Sequence, residues 1–319
     1  MNLSYRSALI LAALNACLCS SSRGQDYPSK PIRMITGSAG GSNDFVARGV
    51  INPGLTASLG QPIIVDNRSG GATSAEPAAK AAPDGYTVLL STASHWLSPF
   101  FQEVRFDPVR DFTPITVVAR GPNVLVVHPS LPVKSVKELI ALARTKPGQL
   151  NYASGATGSA THLSGALFNY LAKSDIVRIA YKSSPMETAE LLSGQVQLSF
   201  GTAIDVSPFI KLGRLRALAV TSAQPSSLFP DLPAIAATLP GYARTIVFGI
   251  WAPARTPDAI VNRLHQEIVR VVNRPDAKQK LFDTGMDAVG SSPDQFAAEI
   301  KADMDIMGKV IKESGIRAQ

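Results

Sequence analysis

One stretch near the beginning of the chain decides the fold class: IRMITGSAGGSNDFVARGVINPGLTASLG, residues 32–60. The apolar, β-branched run at residues 32–35 predicts a short strand that ends at the glycine- and serine-rich loop of residues 37–42. Apolar residues then recur at helical spacing from Phe45 to Leu59. Pro53-Gly54 predicts a bend or split in that helix. The stretch therefore predicts a strand, a glycine-rich turn and a helix.

The same alternation continues along the chain. Residues 63–65 predict a second strand, residues 75–82 a helix of small residues, and residues 86–90 a third strand. Residues 115–118 and 124–127 predict two further strands. Because strands that alternate with helices pair in parallel, this region predicts an α/β unit.

A second region opens at Pro129 and repeats this organisation. Ser135 and Glu138 have the spacing of a capping box ahead of an apolar helix. Residues 176–180, 196–200 and 215–220 predict strands, with helical segments between them. Two late helices are predicted to begin at residues 256–258 and 292–293, the last with a stripe that we assign to the core: Phe296, Ile300, Met304, Met307 and Ile311. The chain of 319 residues is long enough for two such units.

The first 24 residues have the pattern of a secretory signal. Arg6 precedes an apolar run at residues 8–14, and small residues follow. Both cysteines of the chain, Cys17 and Cys19, lie in this segment. Residues 14–17 loosely match a lipoprotein box, but Asn15 fits it poorly, so we expect cleavage and export rather than an anchor at Cys17. We expect the exported protein to be a monomer.

Composition narrows the possible partners. The formal charge is +7, a mild excess that favours anions, and basic residues are scattered without a Lys/Arg block, so nucleic acid is not an expected partner. The mature histidines are His95, His128, His162 and His265, and they include no His-x-x-x-His pair. Without that pair or a mature cysteine, no metal site and no cofactor are expected. Gly-x-Ser-x-Gly and phosphate-loop patterns are also missing, and no enzyme activity is expected.

Two glycine- and serine-rich loops remain, Gly40-Gly41-Ser42-Asn43 and residues 154–159. Each follows a predicted strand and opens a helix, whose first N–H groups are unpaired and carry partial positive charge. Glycines let a small anion approach that backbone closely, and serines add donors. The structural alternative is a tight turn with Ser42 or Asn43 as the helix cap. Two such loops in an exported chain favour an anion held between domains.

The order of several short motifs resembles one family, the substrate-binding proteins of tripartite tricarboxylate transporters, known as the Bug family of bacterial extracytoplasmic solute receptors. The resemblance covers essentially the whole mature chain. Its motifs are residues 27–33, Gly40-Gly41-Ser42-Asn43-Asp44, residues 60–68, Pro83-Asp84-Gly85-Tyr86-Thr87, residues 107–112, residues 122–127, residues 147–152, Tyr181-Lys182 and residues 213–222.

This resemblance implies a two-domain periplasmic binding protein of the type II kind, whose cleft closes on a small organic anion like a Venus flytrap. Domain 1 would comprise residues 25–125 and 231–319, and domain 2 residues 126–230, with crossings near residues 124–129 and 221–231. The family role is capture of a carboxylate and its delivery to a membrane transporter. Two alternatives stay open: a periplasmic sensor that docks on a sensor kinase, and a secreted hydrolase using Ser159 or Ser38 with His162.

In the family, backbone amides, hydroxyls and waters hold the carboxylate. Carried onto this chain, the implied ligand-binding residues are Ser38, Ala39, Gly40, Gly41, Ser42, Ser69, Gly70, Thr92, Ser94, His95, Ser154, Gly155, Thr157, Gly158, Ser159, His162, Tyr181, Gly201 and Thr202. Asp44 is expected to brace the first loop, because an acid would repel an anion. Lys182 is either a cleft cation or a surface charge. Trp96 either stacks on an aromatic carboxylate or packs within its own domain.

Four departures from the family pattern fall at this cleft. The turn at residues 68–74 and the loop at residues 91–106 are shorter than usual. Gly201 stands where many relatives carry Asp, and Ser183 replaces a Gly. Because an amino acid ligand needs an acidic partner for its ammonium group, Gly201 argues against one. We expect a mono- or dicarboxylate without an amine, aromatic if Trp96 stacks on it.

Overall fold

A computed structural model describes residues 27–68 and 71–314. The predicted signal segment, both cysteines, and the two predicted site residues Ser69 and Gly70 lie outside the described residues. Within the described part of the chain, no helix combines the length and the apolar character needed to cross a membrane.

Helices and strands alternate through most of the described chain. The first part contains β1 (Ile32–Thr36), α1 (Ser42–Phe45), a π turn (Val46–Ile51), α2 (Asn52–Leu59), β2 (Ile63–Asn67), α3 (Ala72–Ala79), β3 (Thr87–Ser91), α4 (Ala93–Trp96) and β4 (Phe112–Val127). The middle contains α5 (Val136–Thr145), β5 (Asn151–Ser154), α6 (Ala160–Ala172), β6 (Val177–Ala180), α7 (Ser184–Ser193), β7 (Leu198–Thr202), α8 (Ala203–Lys211) and β8 (Arg216–Val220). The last part contains β9 (Thr245–Pro253), α9 (Asp258–Val272), α10 (Pro275–Asp283), β10 (Asp287–Ala288) and α11 (Pro293–Ser314).

The strands form a mixed sheet in the order β2-β1-β3-β9-β4-β7-β5-β6. The parallel pairs β1–β2, β1–β3, β5–β6 and β5–β7 confirm the α/β fold class predicted from the alternation. The antiparallel strand β9 was not predicted, although it occupies the centre of the first half of the sheet between β3 and β4. It is buried at every position except Thr245, so its sequence is an apolar run without a two-residue period.

Strand β4 joins the two halves of the sheet. The sequence predicted two strands here, at residues 115–118 and 124–127, and the structure has one strand of 16 residues. Its first part, through Pro122, pairs with β9, and its last part, from Asn123, pairs with β7. The gap between the two predicted strands therefore lies where β4 changes its partner strand, and the strand itself is continuous there. The first lobe contains β1, β2, β3, β9, β10 and the part of β4 through Pro122, with the helices packed on them. The second lobe contains the part of β4 from Asn123 and β5–β8, with their helices.

Each lobe buries its own apolar core. Ile235, Leu239 and Tyr242 pack with Leu125 and Phe200 in the core of the second lobe. Because those three residues are buried there, we propose that the chain returns to the first lobe after Tyr242, and that the other crossing lies at Pro122–Asn123. These positions differ from those predicted from the sequence, near residues 124–129 and 221–231, which stay a prediction.

Three local sequence patterns have counterparts in the structure. Ser135 Oγ accepts the N–H of Glu138 at 3.2 Å, although the Glu138 carboxylate accepts from Lys134 instead of completing the capping box. The π turn lies directly before Pro53, so the helix widens at the proline rather than ending. Four residues of the final stripe are buried, and Met304 packs against the same cluster, which confirms its role in the core.

Candidate functional site

The two lobes enclose a cavity of about 90 Å³ at the carboxyl ends of β1, β3, β5 and β7. On the same measure a single water needs roughly 10–15 Å³, so this space suits a small solute. The first lobe lines it with Gly37, Ser38, Gly41, Ser42, Asn43, Gly71, Thr92, Ser94 and Ile246. The second lobe lines it with Gly155, Ala156, Ser159, Ala160, Thr161, Lys182, Ser183, Ser184, Glu187 and Thr202.

The lobes touch at the rim of this cavity. Ser38 Oγ donates to the carbonyl oxygen of Lys182 at 3.1 Å. Nearby, a side chain on Gly41 would place its Cβ 3.4 Å from Ser184 Oγ. The first glycine-rich loop therefore lies directly against the start of α7, and a solute in the cavity would contact both lobes.

Two helix N-termini face the cavity from opposite lobes. Ser42 and Asn43 begin α1, and Ala160 and Thr161 begin α6; all four line the space. The first N–H groups of a helix have no intrahelical acceptor, and together with the peptide dipoles they attract anions. At α6, Ser159 Oγ caps the helix by accepting the N–H of His162 at 3.3 Å. The cavity wall thus offers donors from the backbone and from hydroxyl groups.

Asp44 holds the first loop in place. Its carboxylate accepts the N–H of Gly40 at 3.0 Å, Nε of Arg48 at 2.8 Å and Nδ2 of Asn67 at 2.8 Å. Partial burial would raise the pKa of Asp44, but these three donors outweigh it and lower the pKa below its usual value. Asp44 is absent from the cavity wall. Its contacts are those of a residue that braces the loop.

Replacing Asp44 by Asn should lower the free energy of unfolding near neutral pH by about 1–3 kcal/mol, because charge-assisted bonds are lost. The folded-state pKa is depressed, so this stabilisation is present above the ordinary carboxyl pKa and disappears as the pH falls through the folded value. Urea unfolding of wild type and Asp44→Asn at pH 7 and pH 3 measures both differences. Asp287→Asn, at an exposed carboxylate, is the control and should change neither. An equal difference at the two pH values would contradict this account.

The second loop is braced by a residue that the sequence analysis missed. Arg178 on β6 donates from Nε to Ser154 Oγ at 2.7 Å, from Nη2 to the carbonyl of Gly155 at 3.0 Å, and from Nη1 to Thr157 Oγ1 at 3.3 Å. Burial lowers the pKa of this guanidinium without removing its charge. An arginine within the short run Val177-Arg178-Ile179 was the only signal in the sequence.

His95 and Trp96 lie away from the cavity, contrary to the expectation for His95. The imidazole is fully buried against Phe106, Phe112 and Trp251, and burial lowers its pKa to about 3. Trp96 donates from Nε1 to Asp303 Oδ2 at 2.8 Å and packs within its own lobe. The one-turn helix α4 directs Thr92 and Ser94 toward the cavity and these two rings into the core.

Several other expected residues do not line the cavity: Ala39, Gly40, Ser154, Thr157, Gly158, His162, Tyr181 and Gly201. His162 Nδ1 accepts the N–H of Gly158 at 3.0 Å, and burial, with the nearby charge of Arg178, lowers the pKa of the ring to about 3. A general base would need a ring nitrogen on a serine hydroxyl, but Ser159 Oγ pairs with Thr161 and Ser38 Oγ donates to Lys182. The hydrolase alternative has no such arrangement in the described residues.

Other residues of the wall were not predicted. Gly37, Ala160 and Thr161 extend the two loops, whereas Ile246 comes from β9. The most unexpected is Glu187, an acid in a cavity expected to hold an anion. Burial, partly offset by the hydrogen bond from Ser199, raises the pKa of this carboxyl to about 7. Over the described residues, no group of three metal-binding side chains is present.

Two α/β lobes that share a long strand and enclose a cavity between them define a periplasmic binding protein fold. A family model described as "Tripartite tricarboxylate transporter family receptor" matches residues 46–316. The chain belongs to this family of solute-binding receptors, also represented by Bug proteins.

Individual relatives match over nearly their full length. Protein BugT of Bordetella pertussis is 33% identical over 298 residues, covering 91% of each chain. The structure titled "R. palustris Rpa4515 with adipate" superimposes with a TM-score of 0.86 at 34% identity, covering 92% of this chain and 100% of that one. MatC from Rhodopseudomonas palustris with bound malate has a TM-score of 0.84 at 26% identity, covering 89% of this chain and 100% of that one.

Proposed function

We propose that this protein is an exported, monomeric receptor that captures a small organic carboxylate between its lobes and delivers it to the membrane subunits of a tripartite tricarboxylate-type transporter. The observation that carries the proposal is the convergence of the α1 and α6 N-termini on one cavity. Both ends favour negative charge, and the hydroxyl-rich wall supplies further donors.

Aliphatic carboxylates suit this cavity better than aromatic ones. Among the described lining residues there is no aromatic side chain, and Trp96, which would have favoured an aromatic ligand, packs elsewhere. Two relatives of known structure were solved with adipate and with malate, which are aliphatic dicarboxylates. We therefore propose an aliphatic carboxylate as the solute of this chain.

Delivery requires that the transporter distinguish loaded from empty receptor. A solute that contacts both lobes stabilises their closed arrangement by its differential affinity for it. Contacts between the lobes, such as that of Ser38 with Lys182, would form only on closure. The closed arrangement of the lobe surfaces is what we propose the membrane subunits recognise.

A thermal-shift screen of the purified protein tests the proposal. The protein is first unfolded and refolded to remove any copurified solute. The panel contains tricarboxylates, C4–C6 dicarboxylates, amino acids and aromatic acids. A ligand at 100 times its Kd adds about 2.7 kcal/mol to the free energy of unfolding, which raises Tm by roughly 5 °C. We expect at least one aliphatic carboxylate to do so and the aromatic acids not to. If no carboxylate raises Tm and mass spectrometry finds no retained solute, the proposed function is wrong.

A further inference from the structure

An acidic side chain occupies the second-lobe wall of the cavity. Glu187 on α7 is only 5% exposed, yet it lines the space between the lobes. One carboxylate oxygen, Oε1, accepts from Ser199 Oγ on β7 at 2.6 Å. A buried carboxylate next to a ligand is costly unless it is neutral or paired with a positive group.

A second acid lies close behind it. Asp205 on α8 accepts from the hydroxyls of Thr202 and Ser184, both of which line the cavity, and its charge raises the pKa of Glu187 further. Arg178 acts on Glu187 only through space, since its donors are directed to the second loop. Over residues 27–68 and 71–314, neither acid forms an ion pair with Lys, Arg or His. When they are ionised, the two acids therefore add negative charge beside the cavity.

Asn43 is part of the wall contributed by the first lobe. Asn43 Oδ1 is buried and has no hydrogen-bond partner among the described residues. A cavity with a buried carboxylate in its wall is suited to a ligand that donates hydrogen bonds, which a plain carboxylate dianion does not.

We propose that the solute carries a protonated amine in addition to its carboxylate, and that Glu187 receives the amine while the α1 and α6 N-termini hold the carboxylate. This inference rests on the proposed function, since it concerns the same cavity. The helix N-termini and the Glu187 carboxylate match the two ends of an amino carboxylate. The prediction of a ligand without an amine was based on Gly201 alone. Gly201 does not line the cavity, and a Cβ on it would lie 2.4 Å from Val206.

The pH dependence of binding separates this ligand class from plain dicarboxylates. An amine requires ionised Glu187, whose pKa burial raises to about 7, so affinity for an amino carboxylate should fall as the pH is lowered from 8 to 6. A plain dicarboxylate requires protonated Glu187 and should show the opposite trend. Asp205 titrates near the same range, with a pKa of about 6, and acts in the same direction, whereas Arg178 keeps its charge.

Calorimetric titrations with matched pairs test the proposal: L-aspartate against succinate, and γ-aminobutyrate against butyrate. We expect the amine-bearing member of at least one pair to bind at least tenfold more tightly at pH 8. The variant Glu187→Gln keeps an acceptor for Ser199 but removes the charge, and it should weaken that binding at least tenfold. Glu190→Gln, on the same helix but outside the cavity wall, is the control and should bind as wild type does.

Two results would overturn the inference. If succinate or butyrate binds as tightly as its amine partner and Glu187→Gln changes neither affinity, Glu187 does not select an amine, although the receptor function stands. If no carboxylate binds with or without an amine, the proposed function itself fails, and this inference fails with it. Measuring Tm of ligand-free Glu187→Gln identifies a folding defect, and Asp205→Asn, which should weaken amine binding in the same direction, then provides the second test.

Discussion

Gly41→Leu is expected to weaken carboxylate binding at least a hundredfold while leaving Tm within about 2 °C of wild type. Gly41 precedes α1 with φ −91°, a conformation open to any residue, so the substitution strains no backbone. A Cβ there would lie 3.4 Å from both Ser184 Oγ and the carbonyl of Ser38, and a longer side chain would extend between the lobes. The lobes could not then close on a solute. Calorimetry with the best ligand of the screen gives the affinity.

A graded control distinguishes blocked closure from damage to the loop. Gly41→Ala places only a methyl group at ordinary contact distance, so its affinity should stay within about threefold of wild type. Small-angle scattering with saturating ligand should show compaction of wild type and Gly41→Ala but not of Gly41→Leu. Tight binding by Gly41→Leu would mean that the lobes do not approach each other here during binding.

The architecture was predictable where the signal was local. Five of the six parallel-paired strands were anticipated to within a few residues, because a buried apolar run bounded by turn residues identifies a strand without reference to its partner. The sixth, β5, was implied only by the glycine-rich loop that follows it. Strand β9 and the single strand β4 depend on pairing between residues more than 100 positions apart. No local pattern records such a partner, so the sequence predicted two short strands in place of β4 and missed β9.

In the candidate site, too, local features were predictable and features that depend on distant residues were not. Glycines and serines before α1 and α6 marked both loops, because a helix N-terminus that meets a ligand needs small residues and donors. Which side chain of a loop faces the cavity depends on its neighbours: Thr92 and Ser94 face it, whereas His95 between Phe112 and Trp251 does not. Glu187 could not be singled out, since a glutamate on a helix is ordinarily solvated and its burial beside Ser199 depends on how α7 packs against β7.

The general affinity for carboxylates and the selection of one ligand over another depend on different groups in the site. Backbone N–H groups of α1 and α6 depend on the fold and only weakly on side-chain identity. The charged side chains in the wall are Lys182 and Glu187, and a single substitution changes either. Relatives share this fold at 26–34% identity, as the adipate and malate complexes do with this chain. A change at Lys182 or Glu187 would alter solute selection without changing that fold.

The second large effect expected is on stability. Gly249→Ala, in the middle of β9, should lower the free energy of unfolding by about 3 kcal/mol, at the upper end of overpacking costs. The new Cβ would lie 2.1 Å from Cζ of Phe296 and 2.8 Å from Cη2 of Trp251, and both rings are fully buried. The corresponding fall in Tm is roughly 6 °C or more. Thermal and urea unfolding measure both quantities.

Two further variants identify the clash as the cause. Gly49→Ala, whose Cβ would meet Phe45 at an ordinary 3.5 Å, should be neutral or slightly stabilising, because alanine favours the helix. Phe296→Leu shortens the ring that Gly249→Ala strikes, so the double variant should be more stable than the sum of the single changes by about 1 kcal/mol or more. Additive losses would show that the packing of β9 against α11 does not depend on the absence of a side chain at Gly249, and that glycine is needed there for another reason.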